Sequence, residues 1–121
     1  MKASHRRYED YLQDIIYAAE KADSFVQGMD FDAFQKDEKT VWAVLKALEI
    51  IGEATKNIPP RVRKKYPEIP WREMAGIRDK VSHDYFGVSL LRVFETVKED
   101  LPTLRPALAR ILQDIDEGKY A

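Results

Sequence analysis

The chain has 121 residues, of which 45% are apolar and 34% are charged, and this is the composition of one globular domain around a single core. Twenty Lys and Arg residues stand against 21 Asp and Glu residues, so attraction to nucleic acid would require local clustering of the basic ones. The lack of cysteine excludes disulfides, thiolate zinc sites and a cysteine nucleophile, and no apolar run approaches the ~20 residues that span a bilayer.

The N-terminal segment is basic, but tyrosines and acidic residues follow it instead of the apolar stretch of a secretion signal, so we expect a cytoplasmic protein. Apolar residues then recur every three or four positions and predict an amphipathic helix over 6–27, which ends at Gly28. Asp30 is placed to cap a short turn that buries Phe31 and Phe34.

A second helix is predicted over 37–58, and its apolar residues cover most of its circumference. Such a helix is either central in the fold or also part of a subunit interface. Gly52, midway along it, costs about 1 kcal/mol relative to alanine, which indicates close approach by a neighbouring helix. Pro59 and Pro60 end this helix, and Pro60 is placed to open a short helical turn.

That short turn carries the one concentrated basic cluster of the sequence. Two interpretations are open: a solvated connector, or a surface that contacts a phosphate backbone and so positions nucleic acid without reading its bases. The second is favoured by the closeness of the cluster to the charged motif described below. The four residues are Arg61, Arg63, Lys64 and Lys65.

A third helix is predicted over 70–85, with Pro70 in its first turn and Trp71 and Met74 directed to the core. Gly87 follows closely, which favours a helix end between Val81 and Phe86.

A fourth helix is predicted over 89–116, with Ser89 as its N-cap. Pro102 and Pro106 lie inside it, so we expect a kink, or a break near Asp100. Nothing in the chain alternates with period two, and the expected fold is therefore an all-α, up-down bundle of four to five helices in one domain, 1–121.

Charged and ring side chains interrupt the apolar pattern of the third helix at Arg78, His83 and Tyr85. Arg78 offers a permanently charged planar fork, and His83 changes protonation near neutral pH. This set can bind and cleave a phosphodiester, or it can be an ordinary helix end with an ion pair and two half-buried rings. On a regular helix Tyr85 lies about 20° from Arg78, whereas His83 lies about 140° from it. All three meet at one ligand only if the helix loosens near His83, or if a second subunit supplies part of the site.

The spacing R-x4-H-x-Y and its surroundings resemble the HepT-like branch of the HEPN superfamily. In those toxin–antitoxin systems a small helical protein is encoded beside a minimal nucleotidyltransferase. The resemblance covers nearly the whole chain, because further stretches share it in the same order. These are IIGEA at 50–54, IPWREMAGIRD at 69–79, DYFGV at 84–88 and DLP at 100–102.

The resemblance implies a metal-independent endoribonuclease toxin that is homodimeric, uses no cofactor and is inhibited by a cognate nucleotidyltransferase antitoxin. It implies catalytic roles for Arg78 and His83, and it makes Tyr85 the residue that the antitoxin adenylylates. Ser82 and Asp84 are candidates for supporting polar roles. The basic cluster is then predicted to bind RNA.

The chemistry of such an enzyme agrees with these residue types. RNA carries its own nucleophile, the 2′-hydroxyl, so His83 need only act as general base or acid, an effect worth roughly 10²–10⁴-fold. Arg78 can hold the phosphoryl oxygens bidentately. His5 and His83 lie far apart, and Asp79 lacks a second carboxylate at ligand spacing, so no metal site is predicted. The alternative is a non-catalytic helical partner of a nucleotidyltransferase, in which the same motif is a docking surface.

Overall fold

The computed structural model describes residues 7–83 and 89–116, and of residues 78–83 it describes the backbone. Regular structure in these ranges is entirely helical, which confirms the predicted all-α class. The four predicted long helices are present, and shorter ones lie between them. In chain order the elements are α1 (Tyr8–Phe25), α2 (Phe31–Lys36), α3 (Glu38–Lys56), α4 (Pro60–Lys65), α5 (Trp71–His83), α6 (Leu90–Glu95), a π-helical turn (Thr96–Asp100) and α7 (Leu101–Asp116).

Helix α3 is central, because it packs against α1 on one side and α5 on the other, while α7 packs against α1. Tyr11 and Asp14 of α1 lie beside Ile50 and Glu53 of α3, so these two helices run antiparallel. None of the helices in the described ranges is long and apolar enough to cross a membrane. Aliphatic side chains from the long helices form the core, among them Leu12, Ile15, Val44, Leu48, Ile51, Met74, Val97, Leu101, Leu108 and Ile111.

The helix ends follow the sequence-based predictions. Gly28, just after α1, has a φ of +76°. Glycine adopts this conformation readily because it has no Cβ, whereas most other residues would be strained there. Asp30 caps α2, because its Oδ1 accepts a 2.8 Å hydrogen bond from the backbone amide of Ala33. Ser89 caps α6 in the same way, and its Oγ accepts from the backbone amide of Arg92 at 3.2 Å. Short polar side chains at these positions satisfy amides that have no helical partner.

A kink or a break near Asp100 was expected in the last long helix, and the structure has a π-helical turn there, between α6 and α7, while the backbone stays helical from Leu90 to Asp116. At the end of this turn the backbone amide of Leu101 donates to the carbonyl of Thr96, five residues earlier. Pro102 follows, and since it has no amide and its ring clashes with the preceding turn, a widened turn before it relieves the conflict. Pro106 lies inside α7 without ending it.

Candidate functional site

Helix α5, which carries the charged motif, is anchored at its start by Trp71. The Trp71 ring is buried, and its Nε1 donates a 3.0 Å hydrogen bond to the backbone carbonyl of Tyr66. The hydroxyl of Tyr66 in turn donates to Oδ2 of Asp114 on α7 at 2.8 Å. Met74, one turn into α5, is buried as well. The prediction that Trp71 and Met74 belong to the core is confirmed, and these contacts fix where α5 presents the residues that follow.

The motif residues Arg78 and His83 both lie on α5, and His83 is its last residue. Because the backbone is helical from one to the other, the two positions lie about 7.5 Å apart along the axis and about 140° apart around it. The helix therefore does not loosen before His83, which favours the other route to a complete site, a contribution from a second subunit. Ser82 lies in the same last turn. Asp84 and Tyr85 lie outside the described residues.

A cleft of about 1030 Å³ lies between α5 and the segment that runs from α6 to α7. Sites for small molecules usually measure about 300–1,000 Å³, so the cleft is large enough to hold a ligand. Ile77 lines it and immediately precedes Arg78, which puts the cleft beside the motif. Its aliphatic walls include Leu48, Ile51, Met74, Ile77, Val93, Leu101 and Leu104. Sequence reasoning missed the cleft, because each of these residues fits the pattern of an ordinary core position.

Charged side chains also line the cleft. The guanidinium of Arg92 lies 4.0 Å from the carboxylate of Asp100 and 3.9 Å from that of Glu95, so its charge is already balanced. Glu68 and Glu73 line the cleft too, and neither forms an ion pair with a residue that the structure describes. Among the lining residues that the structure describes, carboxylates thus outnumber cations, which disfavours phosphate. In the described part of the chain, no three His, Asp or Glu side chains are arranged to bind a metal ion.

The predicted RNA-binding cluster lies on α4, where Arg63 differs from its neighbours. The Arg63 Nε donates to the backbone carbonyl of Ile58 at 3.0 Å, and its Nη2 donates to that of Thr55 at 2.8 Å. Carbonyls at the end of a helix lack helical partners, so Arg63 closes the carboxyl end of α3. A basic residue just beyond a helix end is a known capping pattern, and this signal was available in the sequence.

The other three basic residues of α4 are exposed. The Arg61 guanidinium lies 5.4 Å from the ring centroid of Tyr8, within range of a cation–π contact. Lys64 and Lys65 add two further positive charges to the same surface. The structure thus presents a basic surface on α4, while RNA contact by all four residues stays a prediction.

The family model and the relatives that this chain matches are all described as ribonucleases. A family model described as ribonuclease HepT-like matches residues 15–111. A probable ribonuclease HepT of Thermococcus cleftensis is 52% identical over 105 residues, which cover 87% of this chain and 93% of that protein. A putative RNase of Methanocaldococcus jannaschii is 41% identical over 114 residues, 94% of this chain and 93% of that protein. A putative RNase of Caldanaerobacter subterraneus subsp. tengcongensis is 42% identical over 103 residues, 85% and 92% respectively. No solved structure matches the chain.

Proposed function

The chain belongs to the HepT-like ribonuclease family, and on that premise we propose that it is a metal-independent endoribonuclease whose active site contains Arg78 and His83. Membership confirms the resemblance seen in the sequence and the ribonuclease class inferred from it. The observation that carries the proposal is that the matched region, 15–111, includes both motif residues, five positions apart on one helix.

In the proposed reaction the RNA attacks itself. One His83 imidazole takes the proton of the 2′-hydroxyl as general base, and the freed oxygen forms a bond to the adjacent phosphorus. The bond from phosphorus to the 5′-oxygen breaks, and a second His83 acts as general acid and protonates that leaving oxygen. The products are a 2′,3′-cyclic phosphate and a 5′-hydroxyl. Arg78 binds the non-bridging oxygens and stabilises the charge that develops on them.

A homodimer supplies the second histidine of this reaction, since each chain has one in the motif. The angular separation of Arg78 and His83 on α5 supports a site completed by two chains. Exposed apolar side chains on α3 support it too. Trp42 is 57% exposed and Ile50 is 38% exposed, although α3 packs against both α1 and α5. Aromatic side chains such as that of Trp42 are enriched in the cores of subunit interfaces.

The biological setting that we propose is a cytoplasmic type II toxin–antitoxin system, in which a minimal nucleotidyltransferase is the antitoxin. Its action is adenylylation of Tyr85, with Ser82 and Asp84 as supporting residues of the motif. An AMP group on Tyr85 adds negative phosphate where RNA phosphate has to bind, and so stops cleavage without unfolding. Support comes from the DYFGV stretch at 84–88. Intact mass should rise by one AMP after incubation with the transferase, ATP and magnesium, and Tyr85→Phe should prevent the rise.

Cleavage of RNA by the purified protein tests the central proposal. Wild type should cleave RNA in the presence of EDTA and leave a 2′,3′-cyclic end. His83→Ala and Arg78→Ala should each lose activity while their circular dichroism and thermal unfolding stay unchanged. The matched controls His5→Ala and Arg72→Ala should keep it. Full activity in His83→Ala would remove the acid–base role. A wild type that binds the transferase but cleaves no RNA would instead be the non-catalytic partner.

A further inference from the structure

Gly76 is a residue of α5 whose identity is not explained by helix formation. It lies in the helix interior, where glycine costs about 1 kcal/mol relative to alanine. A Cβ added at Gly76 meets no atom within 4 Å, so crowding by the protein is not the reason. Its φ is not positive, so no turn requires glycine either. Gly76 lines the cleft, and a glycine there leaves the backbone of α5 accessible to a bound molecule.

The walls of the cleft suit a flat, uncharged ring. Ile77 of α5 and Leu104 of α7 line it with partly exposed apolar side chains, and the buried side chains of Met74 and Val93 complete this apolar lining. Nucleobases that are taken out of a stack are commonly held between apolar side chains in this way. The absence of a hydrogen-bonding side chain at Gly76 leaves the ring free to lie against the helix backbone. The described lining of the cleft, apolar with an excess of carboxylates, thus matches a base better than a phosphate or another anion.

The carboxylates that line the cleft indicate which base would bind there. Glu73 lies on α5 itself, and its carboxylate has no cationic partner among the described residues. A carboxylate accepts hydrogen bonds from N–H groups of base edges, and its two oxygens can accept from two adjacent donors. Guanine offers such a pair, N1–H and the N2 amino group, whereas adenine, cytosine and uracil do not. The chemistry at Glu73 therefore favours guanine.

Position on the helix links this cleft to the motif. Glu73 precedes Arg78 by five residues, about 7.5 Å along the axis of α5 and about 140° around it. Ile77, the residue before Arg78, also lines the cleft, so a nucleotide whose base lies there reaches Arg78 when its phosphate passes around α5 toward the end of the helix. Carboxylates near Glu73 repel phosphate, and the arginine five positions later attracts it. This separation of charge orients a nucleotide with its base in the cleft and its phosphate toward the end of α5.

We propose that the cleft between α5 and α7 binds a guanine base of the RNA, and that Glu73 sets this preference. The proposal rests on the proposed ribonuclease function and names a specificity residue for it. It also predicts nucleoside binding that can be measured without cleavage. The guanine site and the ribonuclease function can therefore be disproved separately.

Methyl NMR of the full chain with guanosine is the test that does not depend on activity. Met74 lines the cleft and reports binding there, whereas Met29 does not line it and serves as an internal control. Guanosine should shift the Met74 methyl signal and leave that of Met29 in place. Inosine lacks the 2-amino group, so only its N1–H can donate to the carboxylate of Glu73. It should therefore bind about tenfold more weakly than guanosine. If guanosine leaves Met74 unshifted, or inosine binds equally well, the proposal is overturned.

Glu73→Gln isolates the specificity residue, because it keeps the side-chain length and removes the bidentate acceptor. This variant should bind guanosine and inosine equally while its thermal unfolding stays unchanged. Glu99→Gln makes the same change of charge at an exposed residue outside the cleft and should keep the preference. Retention of the preference in Glu73→Gln contradicts the assignment.

Cleavage of matched oligonucleotides gives the second readout. One guanosine or inosine is placed beside the scissile bond in an otherwise all-uridine RNA. The value of kcat/KM should be about tenfold higher with guanosine, and Glu73→Gln should lose this difference while it still cleaves all-uridine RNA. Equal cleavage of both by wild type overturns the guanine site and leaves the ribonuclease proposal standing. No cleavage of any oligonucleotide defeats the ribonuclease proposal, while the NMR result still decides on the cleft.

Gly76→Leu fills the cleft from the helix side and separates a base site from a subunit contact. It should abolish the guanosine-induced shift of Met74 and leave the mass in solution unchanged. A change of mass together with no guanosine binding by wild type would make the cleft an interface between copies of the chain and overturn the proposal.

Discussion

Arg63 is bonded to the end of the central helix: its Nη2 donates a 2.8 Å hydrogen bond to the backbone carbonyl of Thr55. The Nε of the same guanidinium donates to the carbonyl of Ile58. Thr55 is itself buried, and its hydroxyl donates to the carbonyl of Ile51 at 2.7 Å. One side chain of α4 thus joins α4 to the carboxyl end of α3, and this gives a residue of the basic cluster a role in stability.

Arg63→Ala should lower the free energy of unfolding by about 1–3 kcal/mol, since charge-assisted hydrogen bonds to two carbonyls are lost in a partly buried site. Arg63→Lys should recover only part of this, because an ammonium lacks the planar fork. Lys64→Ala, an exposed change on the same helix, should stay within about 0.5 kcal/mol of wild type. Urea unfolding measures all three, and equal midpoints for Arg63→Ala and Lys64→Ala would contradict the capping role.

Lys64→Ala should act on RNA binding instead. Loss of one phosphate contact should weaken binding to single-stranded RNA and reduce the slope of log K against log salt by about 0.7. Lys36→Ala is the matched control, because it also removes an exposed lysine, on α2, that pairs with Asp32. Fluorescence anisotropy at several salt concentrations gives both slopes. Equal slopes for the two variants would mean that RNA does not pass over α4.

Gly76→Ala should stabilise the protein by about 0.5–1 kcal/mol, because the position is helical and the added methyl meets open space. Gly28→Ala should have the opposite sign, since its φ of +76° strains any side chain. Thermal unfolding of the two variants checks both signs in one experiment. A loss of stability in Gly76→Ala would show that the space beside this residue is occupied in the folded protein.

The long helices were predictable, because their apolar periodicity and caps are local properties of the sequence. The first helix was predicted over 6–27 and is observed over Tyr8–Phe25, and the second was predicted over 37–58 and is observed over Glu38–Lys56. The predicted boundaries are therefore wrong by one or two residues at each end, where helices fray. An irregularity in the helix before α7 was also predictable from Pro102. Its form as a π-helical turn was not, because several local geometries relieve the same clash.

The candidate site was predictable only in part. The position of Arg78 and His83 on one helix followed from periodicity, whereas the cleft beside them depends on packing between segments far apart in the chain. The hydrogen bond from Tyr66 to Asp114, 48 residues away, is of this kind. Glu73 was missed for the same reason, because a solvated helix face and a carboxylate lining a cleft have the same sequence pattern.

Trp42→Ala should weaken the proposed homodimer, since buried tryptophans at interfaces typically contribute 2 kcal/mol or more, roughly a 30-fold change in dissociation constant. Tyr17→Ala is the control, because Tyr17 is also a highly exposed aromatic residue, 62% accessible, but lies on α1. In light scattering at micromolar concentration, wild type and Tyr17→Ala should both be dimeric. Trp42→Ala should shift toward the monomer. A monomeric wild type would remove the basis for a shared site.

Mixing of subunits tests whether the two His83 side chains serve one reaction. Wild type and His83→Ala are combined in equal amounts and allowed to exchange subunits by mild unfolding and refolding. If one cleft needs both imidazoles, as base and as acid, mixed dimers are inactive, and activity per total chain falls to about a quarter of that of wild type. If each chain cleaves RNA independently, it falls only to about a half. His5→Ala in place of His83→Ala should leave activity unchanged, which controls for losses during refolding.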